Sequence, residues 1–217
     1  MNYGKSNLSR RKNQISSKKK RKKKRVGVRF FKALIICFLL LIVIGAAGVS
    51  IYVKKVIDNT PEVTAKDIMP QGYTTNIVDS NGTLLEQLKD SDSNRVYKKY
   101  DEISPYMGEA FVAIEDERFY KHKGIDIQGI IRAGVNGVAH GFHFTEGAST
   151  LTQQLIKNNV FPNFINESRY QRIERKIQEQ YLALKIEKEM SKKEILEAYM
   201  NTINLGQGCL GVQTAAQ

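Results

Sequence analysis

Apolar and polar positions follow three regimes along this chain. From Ala33 to Val53 the sequence ALIICFLLLIVIGAAGVSIYV runs twenty-one residues without a charge. At ~1.5 Å per residue it reaches across a hydrocarbon core of ~30 Å. The stretch 58-DNTPEVTAKDIMPQG-72 is polar, holds Pro61 and Pro70, and reads as a connector. A short alternation follows in 74-TTNIVDSNGTLLEQL-88. There Asn81-Gly82, between runs containing Ile77, Val78, Leu84 and Leu85, predicts a β-hairpin closed by a type I′ turn. After Tyr100 the period becomes helical. Ser104-Pro105 is an N-cap and N1 pair, and Met107, Ala110, Phe111 and Ile114 recur at helical spacing. Further helices are predicted to open at Asp126 and near Ser149. A long one runs from about Glu167 to Met190 with Ile173, Ile177, Tyr181 and Leu184 on one face. Ser191 and Glu194 form a capping box for a last helix carrying Ile195, Leu196 and Tyr199. The expected fold class is mainly α, with a small β-hairpin at the domain start, behind one N-terminal transmembrane helix.

Charge sharpens the division. Residues 1–57 hold sixteen Lys or Arg and no acidic residue, whereas eighteen basic residues face twenty-two acidic ones from Asp58 onward, a net of −4. The formal +12 therefore belongs to a tail built around 18-KKKRKKKR-25. By itself such a tail could be a nucleic-acid arm. Followed directly by the apolar run, it predicts a cytoplasmic N-terminus and an extracytoplasmic remainder, with the tail against anionic headgroups. A cleaved signal peptide at Ala46-Ala47-Gly48 is the competing reading of the run, although its apolar region is long for one. Cys37 lies in the span and Cys209 beyond it, so the two cannot pair within one chain.

Three clusters carry candidate chemistry. In 113-AIEDERFYKHKGID-126, Glu115 falls four residues after Phe111, on the border of the predicted apolar stripe. Partial desolvation there suits a general base or acid. The bland alternative is a solvated helix end. In the long helix Arg172, Arg175 and Glu179 share a face beside Lys176, a set that could hold a diphosphate or could be ordinary surface ion pairing. In 147-GASTLTQQLIKN-158, hydroxyls at a helix start and the amides after it suit phosphate and sugar, although Ser and Thr there are commonly caps.

Together these clusters resemble the peptidoglycan glycosyltransferase family, the module of class A penicillin-binding proteins and of monofunctional cell-wall glycosyltransferases. The family's first motif, E-D-x-x-F-x-x-H-x-G-x-D, is matched by Glu115, Asp116, Phe119, His122, Gly124 and Asp126. The second, G-x-S-x-T-Q-Q with a following Lys, is matched by Gly147, Ser149, Thr152, Gln153, Gln154 and Lys157. The third, R-K-x-x-E, is matched by Arg175, Lys176 and Glu179, and the fourth, K-x-x-I-L-E-x-Y-x-N, by Lys192, Ile195, Leu196, Glu197, Tyr199 and Asn201. The resemblance implies a lysozyme-like α fold with a membrane-embedded smaller lobe, to which the loop 137–147 with Phe142 and Phe144 is assigned. It implies lipid II and the growing glycan strand as substrates, joined with inversion into β-1,4 linkages. Glu115 would be the general base, Glu179 a second catalytic group, and Lys157, Arg175 and Lys176 the cations for the departing diphosphate. Asp116, His122, Ser149, Thr152, Gln153 and Gln154 would bind substrate. Phe119, Gly124, Asp126, Lys192, Glu197, Tyr199 and Asn201 would be structural.

The expected organisation is a cytoplasmic polybasic tail (1–32), a transmembrane helix (33–53), a connector with hairpin (54–100) and a glycosyltransferase domain (101–217). The family pattern continues beyond 206-GQGCLGVQTAAQ-217 into a fifth, arginine-containing motif. The expectation is therefore an incomplete, poorly active domain, from a class A protein whose C-terminal transpeptidase domain is lost. The S-x-x-K matches at Ser16–Lys19 and Ser17–Lys20 lie in the basic tail and have no bearing on transpeptidation. No cofactor is required by the sequence; a divalent cation such as magnesium is compatible with a diphosphate substrate. Expected partners are lipid II, membrane lipids and proteins of cell-wall synthesis or division, with no nucleic acid. The expected location is the bacterial cell membrane, single-pass and type II. A lysozyme-like hydrolase and a non-catalytic lipid II-binding scaffold are the alternatives; the hydrolase would have no use for the cation set.

Overall fold

The computed structural model describes residues 5–88, 94–141, 147–161 and 164–217. The expected lipid-facing loop with Phe142 and Phe144 lies largely outside the described residues. Two compact units separate at Lys55/Val56. The first is dominated by helix α1, Lys5–Asp58, which extends well beyond the predicted span on both sides. Its segment Val28–Asp58 is 31 residues long, with a mean hydropathy of 3.0 in its most apolar window and no residue of that window buried. That helix is long and apolar enough to cross a membrane. Inside it Ser50 Oγ donates to the carbonyl of Ala46 at 2.8 Å, so that hydroxyl is satisfied within the helix.

The second unit opens with the stretch read as a connector, which is not merely a linker. Val63 and Ile68 are buried in the core, and Lys185 Nζ donates to the Val63 carbonyl at 3.0 Å. Strands β1 (Thr75–Val78) and β2 (Leu84–Leu88) then pair antiparallel, with a register shift between Ile77 and Val78. The turn is not type I′, which needs two residues at positive φ. Only Gly82 has one, +84°. The Asp79 carboxylate explains the difference: it accepts from the N–H groups of Asn81 and Thr83, both at 2.8 Å, and holds an Asx-type turn with glycine at its end.

Five helices follow: α2 (Pro105–Glu115), α3 (Ile127–Ala139), α4 (Leu151–Val160), α5 (Arg169–Glu189) and α6 (Lys192–Thr202), with a short α7 (Val212–Ala216). The expected starts at Pro105 and Asp126 are found, and capping boxes close the N-termini of α5 (Ser168, Gln171) and α6 (Ser191, Glu194). Helix α4 is capped by Thr150, whose hydroxyl accepts from Gln153 N–H.

The core lies among α4, α5 and α6. Leu151, Leu155 and Ile156 meet Leu182, Ala183 and Ile186, and Ile195, Leu196, Tyr199 and Met200 complete the cluster. Burial of each large side chain contributes about 1.5–3 kcal/mol. Two predicted apolar faces are corrected here. On α5 the stripe Ile173, Tyr181 and Leu184 is exposed, and the buried face is Arg175, Glu179, Leu182, Ala183 and Ile186. The reason is local: opposite charges neutralise each other in the first half of the buried face, and small Ala183 admits a close backbone crossing in the second. On α2 the buried residues are Gly108 and Val112, while Ile114 is exposed.

Helix α3 inverts the usual arrangement. Gly129, Ala133 and Gly137 are its buried residues, whereas Ile127, Ile131, Val135 and Val138 face outward.

Candidate active site

The first motif builds a joint more than a binding surface. Helix α2 stops at Glu115 because Asp116 leaves helical geometry, at φ −156° and ψ 69°. The buried Asp116 carboxylate accepts from the Leu151 N–H at 3.0 Å, tying the end of α2 to the start of α4. Both its oxygens lie 2.9 Å from His122 Nε2, and the Gly124 N–H donates to His122 Nδ1 at 3.1 Å. With Nδ1 accepting, the proton sits on Nε2 and points at Asp116. Asp116 and His122, expected among the substrate-binding groups, are thus turned inward and engaged with each other. Phe119 is fully buried beneath them, with Lys192 Nζ 4.3 Å from its ring centroid.

Gly124 carries two constraints. Its φ is +92°, and a β-carbon there would meet the Ala183 carbonyl oxygen at 2.6 Å. Its own carbonyl accepts from the Thr150 hydroxyl at 2.9 Å and from Gln153 Nε2 at 3.1 Å. Asp126 caps α3 by accepting from the Gly129 N–H and pairs with Arg118, which holds its carboxyl below the usual carboxylate range. Arg118 was absent from the sequence-predicted site; a cation eight residues before a capping acid is too weak a signal to single out.

Glu115 differs from the expectation. It is exposed, not half-buried: Phe111, one turn earlier, packs against the core, but Met107, Ala110 and Ile114 of the same stripe face outward. It is nevertheless anchored: its Oε2 accepts from Gln154 Nε2 at 2.9 Å, and Gln154 Oε1 accepts from the buried Tyr199 hydroxyl at 3.2 Å. Glu115 borders a cavity of roughly 130 Å³, which Ser149, Arg118 and Arg132 also line. Thr152 and Gln153, expected to touch substrate, are buried. Thr152 donates to Glu187 Oε1 at 2.6 Å, and Gln153 bonds Gly124 as described.

Beyond Ser149 lies the cation cluster. Lys176 Nζ donates to Ser149 Oγ at 2.9 Å and lies 2.7 Å from Glu179 Oε2. Arg175 is buried between Glu179, on its NH1, and Glu167, whose Oε1 is 2.6 Å from its Nε. Glu179 itself has no exposed surface. Glu179 and Arg175, expected in direct contact with substrate, are placed as a buried ion pair, and Glu179 also pairs with Lys176. Arg172, expected on the same face, is exposed. Lys157, unlike Arg175 and Lys176, has no carboxylate partner among the described residues. It sits half-buried with Nζ 4.8 Å from the Phe164 ring centroid, and burial, then the charge of Lys176, lowers its pKa. The charge of Glu115 is felt at the same ammonium.

The fourth motif is a clasp. Asn201 offers its side-chain amide as a strand would, accepting from the Lys98 N–H and donating to the Lys98 carbonyl, both at 2.8 Å. Glu197 accepts from the Tyr97 hydroxyl and, at 2.6 Å, from the Tyr100 N–H. Lys192 pairs with Glu187 at 2.7 Å. Among the described residues no three His, Cys, Asp or Glu side chains converge as metal ligands would.

Comparison with known proteins agrees with this architecture. A profile of the transglycosylase family matches residues 81–217. Penicillin-binding protein 1A of Clostridium perfringens strain 13 is 42% identical over 192 residues, covering 87% of this chain and 27% of that protein. The Clostridium novyi protein of the same name is 41% identical over 176 residues, covering 80% of this chain and 20% of that protein. Penicillin-binding protein 1A of Escherichia coli is 39% identical over 191 residues, covering 88% and 21%. The chain thus spans about a quarter of the length of the curated relatives it matches. A helical unit whose motifs form one joint, one anchored carboxylate and one cation cluster, matched by that profile over most of its length, belongs to the transglycosylase family.

Proposed function

We propose that the protein is a peptidoglycan glycosyltransferase that polymerises lipid II with release of undecaprenyl diphosphate. The observation that carries this reading is the pairing of an exposed, anchored carboxylate, Glu115, with a half-buried ammonium, Lys157, that has no carboxylate partner among the described residues. Glu115 would take the proton from the acceptor's 4-hydroxyl, which then attacks the donor's anomeric carbon from the face opposite the diphosphate, inverting it. The leaving group gains negative charge as the bond breaks, and Lys157 and Lys176 would stabilise it there. Arg175 and Glu179 serve by holding Lys176. Ser149 and Gln154 are the polar groups of the second motif left near the cavity for sugar.

The membrane enters the same reading. The apolar part of α1 would anchor the protein, with the basic tail cytoplasmic and residues from 54 onward outside. The outward face of α3 fits contact with acyl chains, where a lipid-linked substrate resides.

The test uses the chain reconstituted in phospholipid vesicles. Lipid II should be converted to glycan, finished glycan should not be cleaved, and Glu115→Gln should abolish polymerisation while leaving lipid II binding within twofold. A Glu115→Gln protein that polymerises like wild type would remove Glu115 from the base role. A chain that binds no lipid II would remove the substrate assignment.

A further inference from the structure

We propose that Tyr199 is a positioning residue for Glu115, acting through the side-chain amide of Gln154. The proposal rests on the reading of Glu115 as the general base. The chain of contacts is short: the Tyr199 hydroxyl donates to Gln154 Oε1 at 3.2 Å, and Gln154 Nε2 donates to Glu115 Oε2 at 2.9 Å.

Chemistry fixes its direction. An ionised carboxylate only accepts, so Gln154 must present its NH₂ to Glu115, which leaves its carbonyl oxygen facing Tyr199. Tyr199 must then donate, and it is kept a donor: burial, then the negative charge of Glu115, raises its pKa above the usual phenol value. Its ring cannot drift, because it is fully buried and Phe111 meets it edge-on, with centroids 5.5 Å apart and planes at 77°. Phe111 is one turn before Glu115 on α2, so the same ring that aims the amide also seats the helix turn that ends in the carboxylate.

Without the hydroxyl, the Gln154 amide keeps, among the described residues, only its bond to Glu115, the group it has to hold, and no second anchor fixes it in place. The amide then moves with the carboxylate, and Glu115 drifts off its line to the acceptor hydroxyl. Tyr199 touches no substrate in this account. It converts the buried face of α6 into a directional constraint on an exposed side chain at the end of α2.

The experiment has two arms on the full chain in lipid nanodiscs. In the first, selective ¹⁵N-glutamine labelling follows the Gln154 side-chain NH₂, assigned with Gln154→Met. Tyr199→Phe should shift this resonance and speed its hydrogen exchange by about tenfold, the loss of one hydrogen bond. In the second, lipid II turnover by Tyr199→Phe should show kcat reduced about tenfold with KM within twofold. The double variant Tyr199→Phe/Gln154→Met should be no slower than Gln154→Met alone, since both substitutions break one chain. An unchanged Gln154 amide in Tyr199→Phe, or losses that multiply in the double variant, would overturn the proposal. Failure of the underlying reading looks different: Glu115→Gln would turn over lipid II normally while Tyr199→Phe still perturbed the Gln154 amide.

Discussion

Replacing Gly124 by alanine should be among the most damaging single-methyl changes available in this protein. Two separable terms contribute. The backbone there is left-handed, φ +92°, which costs a residue with a β-carbon about 1–2 kcal/mol. The β-carbon would also meet the Ala183 carbonyl oxygen at 2.6 Å and its carbon at 2.7 Å. These are backbone atoms of a central helix and cannot swing aside, so overpacking adds about 1–3 kcal/mol. The expected destabilisation is about 2–5 kcal/mol, or a melting point lower by roughly 5–15 °C at this chain length. Gly82→Ala is the internal control. Its φ of +84° is nearly the same, but no atom lies within 4 Å of the β-carbon position, so only the first term applies. Thermal unfolding of both variants in detergent, followed by circular dichroism and by near-ultraviolet tyrosine signal, separates the terms by subtraction. A Gly124→Ala protein no less stable than Gly82→Ala would refute the claim that α5 and the first-motif turn are in contact through backbone.

Other outcomes follow from the same geometry. Glu179→Gln should cost about 3 kcal/mol, since it leaves Arg175 and Lys176 with an uncharged partner in a buried setting. Glu115→Gln, on an exposed side chain, should change stability by less than ~0.5 kcal/mol, and equal effects of the two would refute the burial assignment. Lys157→Met should leave the fold as stable or more so, because burial disfavours its charged form, yet weaken lipid II binding measured on vesicles; unchanged binding would exclude Lys157 from the diphosphate site. Asp126 has a depressed carboxyl pKa, so its pairing with Arg118 stabilises the fold above the ordinary carboxylate range. That contribution is lost as pH falls through the folded-state value. Denaturant midpoints should therefore show Asp126→Asn weaker than wild type at neutral pH, with the gap closing in acid; a constant gap would disprove the linkage.

What could be read in the sequence was local, and what could not was tertiary. Asp126, Ser191 and Glu194 announce helix starts through capping bonds between residues three apart, and Pro105 does so through its fixed φ at the first helical position, although Ser104 before it makes no side-chain cap bond; all are found there. The four motifs lie within the residues that the transglycosylase profile matches. Their individual tasks were less accessible. Periodicity treats Arg175 and Glu179 as solvent-seeking, so it chose the Ile173–Leu184 stripe of α5 as the core face, blind to the fact that two opposite charges can be buried together. Thr152 and Gln153 look like ligands in a row of polar side chains, but their partners, Glu187 and the Gly124 carbonyl, are more than twenty residues away. The burial of Glu115 was overestimated for the same reason: a stripe of apolar residues beside it need not face inward.

The inverted face of α3 has a practical consequence. With Ile127, Ile131, Val135 and Val138 all more than half exposed, the unit from Val56 onward carries a contiguous oily ridge of its own, independent of α1. Deleting the N-terminal helix will therefore not by itself yield a well-behaved soluble protein. The excised unit should self-associate in plain buffer and disperse only with detergent, and polar substitutions along that ridge are the route to a soluble form.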